Sequence, residues 1–173
     1  PYEIFEENKL WGLKDKDGRV LLNAQFDEFY SFGPQGLAVV SKNGKYGYVD
    51  TAGRIAIPLI WEDAFDFEYS GVAIATLQQK SGLINTKGNQ ITQFVYDEIE
   101  AIGNGDCFNA KKETFWGVID ASGRAVIDFE HTEVIDAGYG FYYTKISGQK
   151  NQKIYNEFFK YIGEFPIDSI ENL

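Results

Sequence analysis

The chain has 173 residues and a formal net charge of −10, from 16 basic and 26 acidic side chains. This charge argues against nucleic acid and anionic membrane surfaces as partners, because both attract basic proteins. A single Cys excludes a disulfide framework and a Cys-cluster metal site. No apolar run approaches the roughly 18 residues of a membrane span, so we expect no direct membrane insertion.

Most of the chain is one pattern written four times. Residues 1–8 precede it and are predicted to be the end of a preceding, degenerate unit. The four units are 9–43, 44–78, 79–113 and 114–148. Three columns keep the 35-residue step: Gly12, Gly47, Gly82 and Gly117; Gly18, Gly53, Gly88 and Gly123; and Asp15, Asp50, Asn85 and Asp120. Such a period is the signature of a repeat architecture.

The second unit shows how each copy is predicted to fold. Residues 37–42 alternate with β-branched side chains, and the pair Asn43-Gly44 follows, which is the strongest short hairpin signal. Residues 46–50 and 54–60 are two further strands. Gly53 supplies the left-handed position of the tight turn between them. Each unit is therefore predicted to be a three-stranded β-meander followed by a connector of about ten residues.

The connector carries two apolar columns, three residues apart. A spacing of three favours a single helical turn that faces inward. The columns are Phe29, Ala64, Ile99 and Val134, and Phe32, Phe67, Ile102 and Ala137. After the last unit, residues 149–173 keep alternating aromatic and aliphatic residues without the Gly columns. We expect this segment to be a degenerate fifth unit that caps the stack.

One meander of this size cannot bury its apolar face alone, so the units must stack. The predicted fold is all-β, with the repeats stacked as an open, curved array. A small β-propeller is the alternative, although 35 residues are few for a four-stranded blade.

The pattern resembles the WG-repeat family, which takes its name from a Trp-Gly pair. Trp11-Gly12 and Trp116-Gly117 match the pair, Tyr46-Gly47 is an aromatic variant, and Ser81-Gly82 departs from it. The resemblance implies a bacterial protein, with an exported, periplasmic or cell-surface location more in keeping than the cytoplasm. The family has no general catalytic assignment.

Acidic residues recur directly after an aromatic position in the first three units, while the fourth unit has His131-Thr132 and is degenerate. The structural interpretation is that each acid caps a helix-like connector turn, where negative charge is favourable. The functional interpretation is an acidic stripe that binds a basic partner or divalent cations. The residues concerned are Asp27, Glu28, Glu62, Asp63, Asp97 and Glu98.

Three tyrosines lie off the repeat columns and are predicted to be exposed: Tyr69, Tyr139 and Tyr142. Exposed rings stack on sugar faces, so these residues are the candidates for carbohydrate binding. His131 lies in the column of Phe26, Trp61 and Tyr96 and is interpreted as a substitute aromatic.

No spacing supports a catalytic triad, and Cys107 is interpreted as a small core residue. We therefore predict no catalytic residue, no metal site and no cofactor. The leading hypothesis is a non-enzymatic scaffold that binds another protein, as a subunit of a bacterial envelope or secretion assembly. The alternative is a surface carbohydrate-binding module.

Overall fold

The computed structural model describes residues 2–103 and 105–166, and the described part of the chain is built entirely from strands and turns. None of its residues forms a helix that is long and apolar enough to cross a membrane. The strands are β1 Tyr2–Glu7, β2 Leu10–Asp15, β3 Val20–Phe26, β4 Glu28–Phe29, β5 Leu37–Lys42, β6 Lys45–Asp50, β7 Ile55–Trp61, β8 Asp63–Ala64, β9 Val72–Leu77, β10 Lys80–Asn85, β11 Glu98–Ile102, β12 Cys107–Lys112, β13 Phe115–Asp120, β14 Ala125–His131, β15 Glu133–Gly138, β16 Phe141–Lys145, β17 Asn151–Tyr155 and β18 Tyr161–Pro166.

These strands form five small antiparallel sheets, in which neighbours along the chain are neighbours in space. The first sheet has the order β1-β2-β3, the second β4-β5-β6-β7, the third β8-β9-β10, the fourth β11-β12-β13-β14 and the fifth β15-β16-β17-β18. In the third sheet, isolated bridges from Ser81 to Tyr96 and from Ile84 to Gln90 stand where the other sheets have a last strand.

The connector forms a short strand, so the predicted helical turn is wrong. β4 pairs with β5, with Glu28 opposite Ser41, and its flanking amides are also bonded to that strand. The Tyr30 amide, for example, donates to the Val39 carbonyl. The chain then bends, which returns Phe32 to the same core as Phe29, with ring centroids 5.9 Å apart. This bend produces the three-residue spacing. The unit has four strands where the connector pairs, not three.

The sheets stack in chain order, and a hydrophobic core lies between each sheet and the next. Contacts between sheets join β2 to β4 and β3 to β5, β6 to β8, β10 to β11 and β13 to β15. In the part of the chain that the structure describes, every sheet has two edge strands, so no sheet closes into a barrel. The all-β stack of repeats is confirmed. Its four cores are centred on Phe26 and Val40, on Trp61 and Ile84, on Tyr96 and Phe108, and on Val118 and Tyr142.

The first glycine column makes room for a bulge in the neighbouring strand. Tyr46 pairs with Trp61 but Tyr48 pairs with Ile57, so three residues of β7 face Gly47. A Cβ at Gly47 would lie 2.7 Å from the Ile57 carbonyl oxygen. Pro58 lies in this bulge of an edge strand, where its missing donor is tolerated. Gly12 and Gly117 meet the same close approach of backbone.

The second glycine column closes a tight turn that the Asp column fixes. Gly53 has φ +79, a conformation that glycine adopts without strain. Asp50 Oδ1 accepts hydrogen bonds from the amides of Ala52 and Arg54, both at 3.0 Å. In the fifth sheet, Asn156 makes the same pair of bonds to Phe158 and Lys160. The side chain that fixes the turn is therefore retained in the fifth sheet, although the glycine column is not.

Candidate functional site

The site lies along the leading strands, a name used here for β4, β8, β11 and β15, the first strand of each sheet from the second to the fifth. Each leading strand follows a residue that packs in a core between sheets. These four residues are all buried: Phe26, Trp61, Tyr96 and His131. His131 Nδ1 lies 3.0 Å from the Asp128 carbonyl oxygen, and burial lowers the pKa of this imidazole. It fills an aromatic position, as the sequence predicted.

The acid that precedes β4, β8 and β11 caps a hairpin and not a helix. Asp27 Oδ2 accepts the Asn43 amide at 2.7 Å, and Glu62 Oε2 accepts the Gln79 amide at 2.8 Å. Asp97 does the same for Glu113. These amides belong to the turn of the next hairpin, some 16 or 17 residues along the chain. The acids stabilise the fold as caps, but the predicted helix-like turn is absent from these segments.

The second acid lies directly across from a residue whose type changes along the stack. In the fourth sheet Glu98 faces Lys111, and the ammonium lies 2.7 Å from the carboxylate. In the fifth sheet Glu133 and Lys145 are 3.0 Å apart. The earlier sheets have uncharged residues at the lysine position. Glu28 faces Ser41, and Asp63 faces Thr76.

A cavity of about 180 Å³ lies between the second and third sheets beside these two acids. Its lining combines aromatic rings with carboxylates: Tyr30, Val39, Tyr46, Asp63, Ala64, Phe65 and Asp66. Glu28 hydrogen-bonds to two residues of this lining, Tyr30 and Tyr46, and it accepts a hydrogen bond from Ser41 Oγ at 2.9 Å. The hydrogen bond that Tyr46 donates to Glu28 raises the pKa of this phenol to about 12. Burial, together with Glu28, raises the pKa of Tyr30.

A second cavity of about 190 Å³ lies between the third and fourth sheets. Phe65 and Asp66 line it too, together with Glu68, Ile74, Ile99, Glu100 and Ala101. The two cavities are thus consecutive. We call them the leading-strand groove. Phe65 separates them, and its side chain is 53% exposed.

Hydrogen bonds from the protein interior fix the Phe65 backbone at the centre of the groove. Tyr48, whose side chain is fully buried, donates its hydroxyl to the Phe65 carbonyl oxygen at 2.7 Å. The Phe65 amide donates to the Ile74 carbonyl oxygen at 3.0 Å. Both backbone groups of Phe65 are therefore fixed, while its ring faces solvent.

The groove also carries unbalanced negative charge. In the described residues no ion pair reaches Glu28, Asp63 or Asp66. Partial burial raises the pKa of Asp66 above its ordinary 3.8, because desolvation disfavours the charged form. A cation brought into the groove would stabilise these carboxylates.

The predicted tyrosines have different fates. Tyr69 is 81% exposed and Tyr139 is fully exposed, as predicted. Tyr142 is only 6% exposed, so its prediction as a surface ring is wrong. It stacks on Phe159 with centroids 4.5 Å apart, because it faces the core between the fourth and fifth sheets. Tyr139 lines a wide groove of about 760 Å³ on the fifth sheet.

Cys107 does not have the properties of a reactive thiol. Burial raises its pKa to about 11, and Asp120 and Asp106 add to the shift. The thiolate is therefore disfavoured near neutral pH. Among the described residues, no group of three His, Cys, Asp or Glu side chains is arranged to hold a metal ion.

Sequence reasoning found the acids of the leading strands but missed Tyr30, Phe65, Asp66 and Glu100. These residues vary between units, so a search for repeated columns passes over them. The sequence signal that could have found them is a departure from the repeat, because Ser41 and Thr76 occupy the position at which a later unit has Lys111.

Comparison with known proteins agrees with this geometry. A family model described as "WG containing repeat" matches residues 11–46, 46–80 and 82–113. No curated protein matches the chain. Among solved structures, a eukaryotic initiation factor is similar with a TM-score of 0.53 and 10% identity, over 94% of this chain and 51% of that one. Hsv2 of Kluyveromyces lactis has a TM-score of 0.51 and 10% identity, over 94% and 58% of the two chains.

These structures are propeller-like, and at such low identity the likeness concerns the fold alone. The chain spans between half and three fifths of their length.

Proposed function

The chain belongs to the WG containing repeat family, and we propose that it is a non-catalytic scaffold that binds another protein through the leading-strand groove. The observation that carries the proposal is the groove itself. It joins two consecutive cavities around an exposed Phe65. Aromatic side chains at the centre of a concave site are typical anchors of protein interfaces.

The rigidity of the groove supports binding without reorganisation. The bonds from Tyr48 and to Ile74 hold the Phe65 backbone in position, so a partner does not have to order it. A preformed surface loses less entropy on association.

Site-specific photo-crosslinking tests the proposal. A benzophenone amino acid is placed at Phe65, and in a control protein at Ile55, which is 52% exposed on an outer strand. Extract of the source organism is irradiated with each protein. We expect a discrete crosslinked protein from position 65 alone, competed by unlabelled chain. Equal crosslinking at both positions, or none at position 65, would refute binding at the groove.

The fifth sheet supports a second candidate, carbohydrate binding. Tyr139 is fully exposed beside a groove that Phe141, Tyr143 and Phe165 also line, and ring faces of this kind stack on sugars. A glycan array distinguishes this function from the first. Glycan binding that Tyr139→Ala abolishes and Phe65→Ala leaves intact supports a carbohydrate module, and a blank array refutes it.

The bacterial envelope or secretion setting is also part of the proposal, and it rests on the family resemblance. Fractionation of source cells, with an antibody against the chain, tests it directly. Recovery with periplasmic or envelope markers is the expected result, and recovery with cytoplasmic markers alone would refute this setting.

A further inference from the structure

We propose that the partner inserts a Lys or Arg side chain into the cavity between the second and third sheets. This inference rests on the proposed function, since it identifies the chemistry of the partner at the same groove. The fourth sheet of the chain contains an equivalent site, which is occupied by a lysine of the chain itself.

The fourth sheet shows what such a site looks like when filled. Lys111 Nζ lies 2.7 Å from Glu98 Oε1 and 5.4 Å from the centroid of the Trp116 ring. A carboxylate and an aromatic face thus hold one ammonium between them. This is the usual arrangement for a cation bound by charge and by an aromatic ring.

The second sheet repeats this site without the lysine. Moving back by two units of 35 residues turns Glu98 into Glu28, Trp116 into Tyr46 and Lys111 into Ser41. The strand pairing confirms the equivalence, because Ser41 lies opposite Glu28 just as Lys111 lies opposite Glu98. A carboxylate and an aromatic ring are present in both sheets, although the ring is now that of Tyr46, whose hydroxyl hydrogen-bonds to Glu28. The lysine is replaced by a short hydroxyl side chain.

The space and the charge fit a side chain from outside. Three aromatic residues, Tyr30, Tyr46 and Phe65, line the cavity of about 180 Å³. Asp63 and Asp66 add two carboxylates to that of Glu28, and no ion pair neutralises any of these groups in the described residues. The net charge of −10 draws a basic partner toward the chain.

The hydrogen-bond donors already present do not neutralise the site. Ser41 and Tyr46 donate neutral hydroxyls to Glu28, which solvate its oxygens without adding positive charge. Asp63 Oδ1 accepts the amide of the following residue, Ala64, at 2.9 Å. An ammonium or guanidinium adds charge-assisted hydrogen bonds, which are stronger than these neutral ones.

The test is a titration of the ¹⁵N-labelled chain with three synthetic peptides, followed by amide chemical shifts. The peptides are eight-residue Gly/Ser sequences with two central residues that are lysine, arginine or acetyl-lysine. We expect the lysine and arginine peptides to shift the amides of Tyr46, Phe65 and Asp66. The acetyl-lysine peptide should leave them unchanged. Equal shifts with all three peptides, or none with any, would overturn the inference.

Ser41→Lys is the decisive variant, because it installs the lysine that the fourth sheet already has. We expect it to weaken binding of the lysine peptide at least tenfold. The matched control is Lys111→Ser, which reverses the exchange in the fourth sheet and should leave binding in this cavity unchanged. Unchanged affinity of a folded Ser41→Lys protein would overturn the inference.

A second variant covers the case in which Ser41→Lys does not fold. Asp63→Asn and Asp66→Asn together remove two charges with little change of shape, and we expect the same tenfold loss. Glu6→Gln and Glu7→Gln together, on β1, remove two charges away from the groove and should have little effect. Equal losses from both proteins would mean that only overall charge matters, which contradicts a defined cation site.

The result is separable from the proposed function. If Ser41→Lys does not weaken crosslinking at position 65, the scaffold function is retained and the proposed insertion of a Lys or Arg side chain is refuted. Absence of crosslinking at position 65 removes the function itself, whatever the peptides do.

Discussion

Replacing Gly47 by Ala tests whether the repeat glycine is required by the close approach of backbone. The added Cβ would lie 2.7 Å from the Ile57 carbonyl oxygen and 2.8 Å from the Leu59 amide nitrogen. Ordinary contact begins at 3.4 Å. Neither atom can rotate away, because both belong to the backbone of β7. The edge strand must therefore shift by several tenths of an ångström.

The expected cost follows from this geometry. Overpacking of a rigid site costs about 1–3 kcal/mol, and each ladder hydrogen bond that the shift weakens adds up to about 1 kcal/mol. We expect Gly47→Ala to lower the free energy of unfolding by about 3 kcal/mol. The matched control is Gly82→Ala, whose Cβ would have its nearest contacts with the Phe94 ring, at 3.0 Å. A ring can tilt, so we expect a loss of about 1 kcal/mol there.

Urea unfolding followed by tryptophan fluorescence measures both variants against the parent chain. The expected order is parent, then Gly82→Ala, then Gly47→Ala. A Gly47→Ala loss equal to or smaller than that of Gly82→Ala would refute the reasoning, because the backbone contact would then have no greater cost than the side-chain contact.

Three further variants test the turn, the buried imidazole and the hairpin cap. Asp50→Ala removes two amide hydrogen bonds and should cost about 1–2 kcal/mol in urea unfolding. Partial burial opposes ionisation of Asp50, but hydrogen bonds from Arg54 and Ala52 prevail and lower its pKa below 3.8. The stabilisation of the folded state by Asp50 is therefore complete above pH 3.8 and is lost as the pH falls below this value. A destabilisation by Asp50→Ala that persists unchanged in acid would contradict this. His131→Phe removes the Nδ1 hydrogen bond to the Asp128 carbonyl oxygen. It also removes Nε2, which is buried without a hydrogen-bond partner among the described residues. These effects oppose each other, so we expect the free energy of unfolding at neutral pH to change by less than about 1 kcal/mol. Burial lowers the pKa of His131 below 6.5, so the parent should lose stability as the pH falls below 6.5 and the variant should lose less; identical pH profiles would contradict this. Asp27→Ala should speed hydrogen exchange of the Asn43 amide, which it accepts at 2.7 Å, and unchanged exchange would show that the cap does not protect this amide.

Local features of the fold were predictable from sequence because their causes are local. Gly53 and Asp50 lie within one turn, and their spacing alone indicates the bonds that the structure shows. The pair Asn43-Gly44 marks its hairpin in the same way. The 35-residue period then implies stacking, since no single unit can bury its apolar face.

The connector could not be read in this way. Its short strand β4 is stabilised by pairing with β5, whose register depends on the whole hairpin. The spacing of Phe29 and Phe32 reflects a bend in the chain, and a helical turn produces the same spacing. Tyr142 was misassigned for a related reason, because only the strand pairing shows which face of β16 meets the fourth sheet.

The groove needed strand register as well. Asp27 and Glu28 are adjacent in sequence, yet Asp27 caps the turn at Asn43 and Glu28 hydrogen-bonds to tyrosines that line a cavity. The meaning of Ser41 appears only when it is placed opposite Glu28 and compared with Lys111 opposite Glu98. A repeat pattern identifies the scaffold, and its departures from that pattern locate the candidate site.

Hydrogen exchange of the chain, alone and bound to the partner crosslinked at position 65, tests the central claim most directly. The account predicts slower exchange on binding in residues 63–66 and 99–101, which line the leading-strand groove. It predicts unchanged exchange in residues 139–165, which include the fifth-sheet groove. Protection confined to residues 139–165 would contradict it.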